Sequence, residues 1–313
     1  MQPLYFYRSP LRSDLRRFET YATALLIFLA CPAARSNASA IVSPASKTPR
    51  IVSLAPSVTE TLFALGAEGH LIGVTSFCDY PAAAKRLPQV GTFMNPSIES
   101  LLALKPDLVV AVPERADQER LERLTALGLK VVLVRAATIN DIFSSIRELA
   151  RLVGKEKQGE TLVARIQHQF ETVSAKLKRS PRPRLLLAVG SRPLIAVGSG
   201  TYIAELVALS GAVNIAASGA RAWPALSAEF VIAAAPDIII EAGMGSEVGQ
   251  SARFWSDLPS IPAVRSHRIY QVHSDKLLRP GPRIGEALEE LARLIHPECF
   301  SASASNGGPC AGP

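Results

Sequence analysis

Short β-branched runs alternate with amphipathic stretches from Arg50 onward, and this alternation predicts a fold before any motif is weighed. Strands are expected over 51–54, 71–74, 108–112 and 131–134, with helices over 58–65, 98–104, 118–127 and 141–153. Ser57-x-x-Glu60 has the form of a capping box that starts the first helix, and Gly128 is placed to stop the third. Strands and helices that alternate in this way build parallel sheets covered by helices.

A second series opens at Arg184-Leu185-Leu186-Leu187. It continues with a helix over 202–209 that stops near Gly211, a helix over 228–234, strands over 238–240 and 269–272, and a helix over 283–295. Between the two series the period changes. Leu162, Ile166, Phe170, Val173 and Leu177 recur every three or four residues and mark one helix of about 25 residues, ended by Pro181 and Pro183. The pattern therefore predicts an α/β protein of two lobes, each a parallel-type sheet flanked by helices, joined by one long rigid helix. The N-terminal lobe is expected over 41–154, the interlobe helix over 155–180, the C-terminal lobe over 181–298 and a disordered tail over 299–313.

The two series also share a motif. Ser97-Ile-Glu99-Ser-Leu-Leu-Ala103-Leu-Lys-Pro106-Asp107-Leu-Val-Val recurs 130 positions later as Ser227-Ala-Glu229-Phe-Val-Ile-Ala233-Ala-Ala-Pro236-Asp237-Ile-Ile-Ile, one copy per lobe. Each copy reads as a short helix, a Pro-Asp turn and a strand. Duplicated architecture accounts for the apolar positions. Glu99 and Glu229 carry two readings. A carboxylate in a first helical turn meets the helix dipole favourably, by about 0.3–1 kcal/mol. Alternatively, two equivalent lobes each present one carboxylate to a two-fold partner with two arginine pockets.

Composition narrows the class. The 313 residues suit two lobes, and 48% hydrophobic with 19% charged is ordinary for a globular chain. A net charge of +7 raises the question of nucleic acid. Residues 1–40 hold five arginines against Asp14 and Glu19; the +4 that remains is scattered, with no basic stripe interleaved with aromatics. No nucleic-acid partner is expected. Residues 1–40 read instead as a signal peptide. Arg12, Arg16 and Arg17 precede an apolar run over 21–30, shorter than the roughly 20 residues that span a bilayer. Ala38-Ser39-Ala40 then offers a small-residue cleavage site. Cys31 offers a lipid-anchored alternative, weakened by Phe28 at the position where the acylation motif usually has Leu. Cleavage after Ala40 leaves Cys78, Cys299 and Cys310; the last two could close a loop in the tail, and the spacing fits no zinc pattern.

From about Arg50 to Ile295 the chain resembles the helical-backbone family of substrate-binding proteins that serve ABC importers for cobalamin, iron-siderophores and haem. Arg50-Ile-Val-Ser-Leu-Ala-Pro-Ser-Val-Thr-Glu60, Asp79-Tyr80-Pro81, Ala103-Leu-Lys-Pro-Asp107-Leu-Val, Trp223-Pro224 and Pro282-Arg283 fall in the family's order and at similar spacing. The set is most similar to the cobalamin-carrying members. The resemblance implies a periplasmic, non-enzymatic protein that captures cobalamin or a related corrinoid between its lobes and delivers it to a permease dimer with its ATPase subunits. An iron-siderophore or haem is the alternative ligand.

It further implies ligand contacts at Phe77, Phe93, Trp223, Asp275 and Arg279, and permease docking at Glu99 and Glu229. A monomer is expected, with no catalytic residue, metal ligand or cofactor of its own. The chemistry suits a corrin ring, a broad apolar disc edged with amides. Flat aromatic side chains can cover its face, Asp275 can accept from amide N–H groups and Arg279 can donate to amide carbonyls. This chain departs from those members with Phe77, Phe93 and Val112 where they carry Tyr, Trp and Trp, and has no counterpart to their C-terminal-lobe disulfide.

Other classes find less support. Gly198-Ser-Gly200 lacks the third glycine of a dinucleotide fingerprint, Ile203 standing in its place, and neither G-x-S-x-G nor His-Glu-x-x-His occurs. Of the five histidines, His168 falls on the interlobe helix and His296 near the end of the last one, which opposes a converging metal site. A haem-binding version would need an axial side chain in the cleft, for which Tyr80 and His273 are the candidates.

Overall fold

Alternate side chains of the central strands enter different cores, so both faces of each sheet are covered. In β1 (Ile51–Ser53) and β3 (Leu108–Ala111), Ile51, Leu108 and Val110 join one buried cluster, while Val52, Val109 and Ala111 join another. In β5 (Arg184–Ser191) and β8 (Ile238–Ala242), Leu185, Leu187, Ile238 and Ile240 face the first cluster, and Leu186, Ala188 and Ile239 face a third. Strands buried on both faces need near-continuous apolar runs, which is why these segments do not alternate with polar residues.

The computed structural model describes residues 48–113, 118–243, 252–273 and 275–301, and all of them belong to one compact unit. The first sheet adds β2 (Leu71–Val74) and β4 (Val131–Leu133) in the order β2-β1-β3-β4, with every pair parallel. Its helices are α1 (Pro56–Ala64), α2 (Ile98–Leu104), α3 (Gln118–Ala126) and α4 (Ile139–Leu152). The second sheet runs β6-β5-β8-β9, where β9 is Ile269–Val272, and β7 (Val213–Asn214) pairs with the start of β5. Its helices are α6 (Tyr202–Leu209), α7 (Ala228–Ala234), α8 (Ala252–Ser256), α9 (Pro262–Arg265), α10 (Asp275–Leu278) and α11 (Ile284–Ile295). The helix expected over 155–180 is α5 (Glu156–Lys176), which packs against α4 of the first lobe and against α6 and α11 of the second. The first core cluster runs through both lobes along α5.

Several features differ from the sequence reading, which had no counterpart to β7, α8, α9 or α10. β6 (Leu194–Ala196) is antiparallel to β5, joined to it by a tight Arg192-Pro193 turn, and the sequence reading had no strand there. The capping box at Ser57 does not form. Pro56 occupies the first turn of α1, Ala55 precedes it, and no side chain caps the helix. Pro favours that position because the N–H it lacks would have no partner there. The reciprocal box is found on α4, where the Thr138 side chain accepts from the Asp141 N–H and the Asp141 carboxylate accepts from the Thr138 N–H. Gly128 does follow α3, with φ of 82°, a conformation that a side chain would strain.

The internal repeat is reproduced bond for bond. Ser97 accepts from the Ser100 N–H to start α2, and Ser227 accepts from the Phe230 N–H to start α7, both at 3.2 Å. Lys105 and Ala235 end the helices in left-handed conformation, with φ of 46° and 43°. Asp107 and Asp237 then each accept, at 2.8 Å, from the backbone N–H of the arginine that leads into the lobe's first strand, Arg50 or Arg184.

The expected signal segment over 1–40, with Cys31, lies outside the described residues, as do Cys310 and the rest of the tail beyond Ser301. Cys78 is a buried free thiol, and Cys299 is disulfide-bonded. Among the described residues no helix is long and apolar enough to cross a membrane.

Candidate functional site

Two loops that leave strand ends approach each other across the lobes. In the first lobe β2 ends at Val74 and the chain turns through Phe77, Asp79 and Tyr80. Cys78 anchors this loop, its buried Sγ lying 3.2 Å from the hydroxyls of both Thr59 and Thr75. The Phe77 ring meets Phe93 edge-on at 5.5 Å between centroids. In the second lobe β9 ends at Val272, Asp275 opens α10, and Arg279 and Arg283 follow on the way into α11. Strand C-terminal ends are where open α/β sheets bind ligands.

A charged cluster ties the loops together. Glu60, in α1 and only 2% exposed, accepts three hydrogen bonds from the other lobe. Arg283 donates from Nε and Nη2 at 2.7 and 2.6 Å, and Arg279 donates from Nη1 at 3.2 Å. Arg279 Nη1 also donates to Asp79 at 2.6 Å, and its Nη2 lies 3.1 Å from Asp275. Arg283 covers the Tyr80 ring at 3.9 Å, a cation–π contact that again crosses the lobes. An ionised carboxylate as buried as Glu60 is tolerated only when paired and fully hydrogen-bonded, and two guanidinium groups provide this.

The cluster holds three carboxylates against two guanidinium groups. Burial opposes the charge on Arg279, but the hydrogen bonds it donates to its carboxylate partners, with their charge, outweigh this and raise its pKa. Arg283 is raised in the same way, burial being outweighed by Glu60. Burial pushes the Asp79 carboxyl up, but the hydrogen bond and charge of Arg279 overcome this and leave it below its ordinary value. The excess negative charge sits on Asp79 and Asp275, whose side chains are both 42% exposed.

Further ties cross the lobes nearby. The Tyr202 N–H donates to the Ala137 carbonyl at 2.6 Å, and the Ile139 N–H donates to the Glu205 carboxylate at 2.7 Å. A side chain added at Gly281 would lie 3.3 Å from Ser57 Cα, so the glycine lets this turn approach α1 closely.

The residues singled out from the sequence thus fall into groups. Phe77 and Phe93 touch; Asp275 and Arg279 touch; and Asp79 joins the two groups through Arg279. Phe77 is 43% exposed, which is unusual for a core phenylalanine. Trp223 is 49% exposed on a loop clamped beside β6, where Ala196 N–H donates to Pro224 and Gly198 N–H donates to Ala222. No hydrogen bond, ion pair or ring contact among the described residues joins Trp223 to the cluster. The other tryptophan, Trp255, is core: 1% exposed, with its indole N–H donating to Glu241. Glu99 and Glu229 are exposed at equivalent places on α2 and α7. The Ser227 hydroxyl and the backbone at the helix start hold the Glu229 carboxyl below its ordinary pKa.

Glu60 and the cross-lobe roles of Asp79, Tyr80 and Arg283 were not apparent from the sequence. Glu60 in particular read as a helix-start residue, and local spacing has no signal for a partner more than 200 positions away.

A depression of about 670 Å³ opens between α10 and α11, lined by titratable side chains that include His273, Asp275, Lys276 and Arg283. With no aromatic wall it does not suit a flat apolar face. Among the described residues no group of three His, Cys, Asp or Glu is arranged to hold a metal ion.

Comparison with known proteins identifies the family and the fold. The family model described as "Periplasmic binding protein" matches residues 51–276. The vitamin B12-binding protein of Salmonella typhimurium is 32% identical over 247 residues, which is 79% of this chain and 90% of the relative. The crystal structure of the periplasmic vitamin B12-binding protein of Vibrio cholerae aligns with a TM-score of 0.69 at 27% identity, covering 79% of this chain and 96% of that one. The periplasmic haem-binding protein of Roseiflexus sp. RS-1 aligns with a TM-score of 0.70 at 30% identity, covering 80% and 99%. The chain belongs to the periplasmic binding protein family, whose members are not enzymes and pair with ABC permeases.

Proposed function

We propose that this periplasmic binding protein captures cobalamin or a related corrinoid in the slot between its lobes and delivers it to an ABC permease dimer. The observation that carries the reading is the state of Arg279 and Arg283. Both guanidinium groups are occupied by carboxylates, and the two half-exposed groups of the cluster are the acceptors Asp79 and Asp275. Such a rim suits a ligand edged with amide N–H donors and repels one edged with carboxylates, as haem and many ferric chelates are. The vitamin B12-binding relatives support the same choice.

In this reading Phe77, Phe93 and Trp223 lie against the apolar faces of the disc, and Asp275 accepts from its amide edge. Arg279 positions Asp79 and Asp275. The core shared along α5 and the charged cluster restrict the lobes to a small rocking motion on ligand capture. Glu99 and Glu229 dock on two arginine pockets of the permease dimer, which then pries the lobes apart as ATP is hydrolysed by its partner subunits. The chain is exported by residues 1–40 and works as a periplasmic monomer.

Haem is the second reading, favoured by the haem-binding structural relative. Tyr80, at 47% exposure, and His273 are its candidate axial side chains, and the Tyr80 ring already lies beneath Arg283. Equilibrium titration of the mature chain with cyanocobalamin, haemin and a ferric hydroxamate decides between them. The corrinoid reading requires saturable cobalamin binding tighter than that of either iron compound. Tighter haemin binding with a Soret shift abolished by Tyr80→Phe would replace it with the haem reading.

A further inference from the structure

The repeat that places Glu99 and Glu229 also places a second pair of side chains. Three residues on, and therefore on the same helical face, stand Leu102 in α2 and Ile232 in α7. They are 43% and 41% exposed, while the residues just before them, Leu101 and Val231, are fully buried. Ala103 and Ala233 follow, both exposed. Because the two helices share their serine caps, left-handed ends and Asp-to-arginine ties, each lobe presents the same surface: a carboxylate, a branched apolar side chain and a small residue.

Single exposed leucines are common on protein surfaces, and Leu127 and Leu133 are two such cases here. What separates Leu102 and Ile232 is that both stand at equivalent places beside the equivalent glutamates. We propose that each docking patch is a carboxylate paired with an apolar knob, Glu99 with Leu102 and Glu229 with Ile232. The partner it fits is a two-fold permease dimer that offers, twice, a cationic side chain beside an apolar hollow. This rests on the docking reading above and adds the apolar half of the contact. A second copy of this chain is a poor occupant, because apposing these patches would bring glutamate against glutamate. The patches also differ in one respect. Phe230, 38% exposed, stands where the first lobe has Ser100, so the C-terminal patch is the larger apolar surface and carries more of the binding.

The test is equilibrium binding of the full-length mature protein, without ligand, to its cognate permease–ATPase complex in lipid nanodiscs. The variants are Leu102→Ser with Ile232→Ser, each of these alone, and Glu99→Ala with Glu229→Ala. Thermal unfolding and cyanocobalamin titration serve as fold controls, and Leu102→Gln with Ile232→Gln replaces any serine variant that melts early. The apolar double variant is expected to bind about tenfold more weakly or worse, with Ile232→Ser costing more than Leu102→Ser. Unchanged binding by the apolar double variant, with loss in the glutamate double variant, overturns the apolar contact and leaves the docking carboxylates standing. Unchanged binding by both removes the docking surface altogether. A wild-type dimer in sedimentation velocity that the apolar variant disperses would overturn the proposal in favour of self-association.

Discussion

Glu60 and Arg283 lie 223 residues apart in the chain and meet as a two-pronged ion pair across the lobes, at 2.6 and 2.7 Å. The Glu60 side chain is buried at 1% exposure and that of Arg283 mostly so at 11%, with Arg279 sharing the same carboxylate. Its removal leaves Arg283 without its carboxylate partner and Arg279 with Asp79 and Asp275 alone. Replacing one member of a buried pair typically costs about 3–5 kcal/mol. Glu60→Gln is therefore expected to lower stability by about that much in urea unfolding. A loss below about 1 kcal/mol, typical of exposed ion pairs, would mean the cluster is solvated in solution.

Asp79 gives the cluster a pH dependence. Its carboxyl titrates below its ordinary value of 3.8 when folded, so its contribution is complete above that value and is lost as pH falls through the lower, folded pKa. The half-exposed position keeps the effect small. Stability of the wild type should therefore fall more steeply than that of Asp79→Asn as pH drops below about 4. Parallel curves in acid unfolding would show that Asp79 is not held by Arg279.

The two tryptophans should separate binding from folding. Trp255 is fully buried and bonded to Glu241, so Trp255→Ala is expected to cost about 3–5 kcal/mol of stability. Trp223 is half exposed, so Trp223→Ala should change stability by less than about 0.5 kcal/mol. Its effect should fall on ligand affinity, by about 2 kcal/mol or roughly thirtyfold. Chemical unfolding and ligand titration of both variants check the contrast.

The core that runs through both lobes should limit motion. Spin labels placed on α3 and α9, at exposed positions of the two lobes, are expected to change separation by no more than about 5 Å on ligand binding, a rocking motion about a packed helix. A change of tens of ångströms by pulsed electron spectroscopy would mean that α5 bends or the core parts.

What the sequence conveyed follows from the range of each interaction. Local period placed the main strands of both sheets and α5, because burial on both faces of a strand or along one stripe of a helix leaves a repeating signature. The internal repeat conveyed the matching helix, Pro-Asp turn and strand of each lobe, but not that Asp107 and Asp237 accept from Arg50 and Arg184. β6 was missed although β1 and β4 are just as short, because it returns antiparallel through a tight turn and so falls outside the strand–helix alternation. Ser57-x-x-Glu60 satisfied the letter of a capping motif, yet Pro56 starts the helix and leaves Glu60 for the other lobe. Arg279, expected to face the ligand, is 7% exposed and gripped by carboxylates from both lobes. Ion pairs between residues some 200 positions apart leave no periodic trace, and the site depends on them.

The most direct test of a carboxylate rim built for amide donors is the sign of one substitution's effect on two ligands. Cyanocobalamin and haemin are titrated calorimetrically into the wild type and Asp275→Asn, with Arg279 still held by Glu60 and Asp79. Weaker cobalamin binding in the variant, together with equal or tighter haemin binding, is the predicted result. Unchanged cobalamin affinity, or haemin preferred by the wild type, would contradict it.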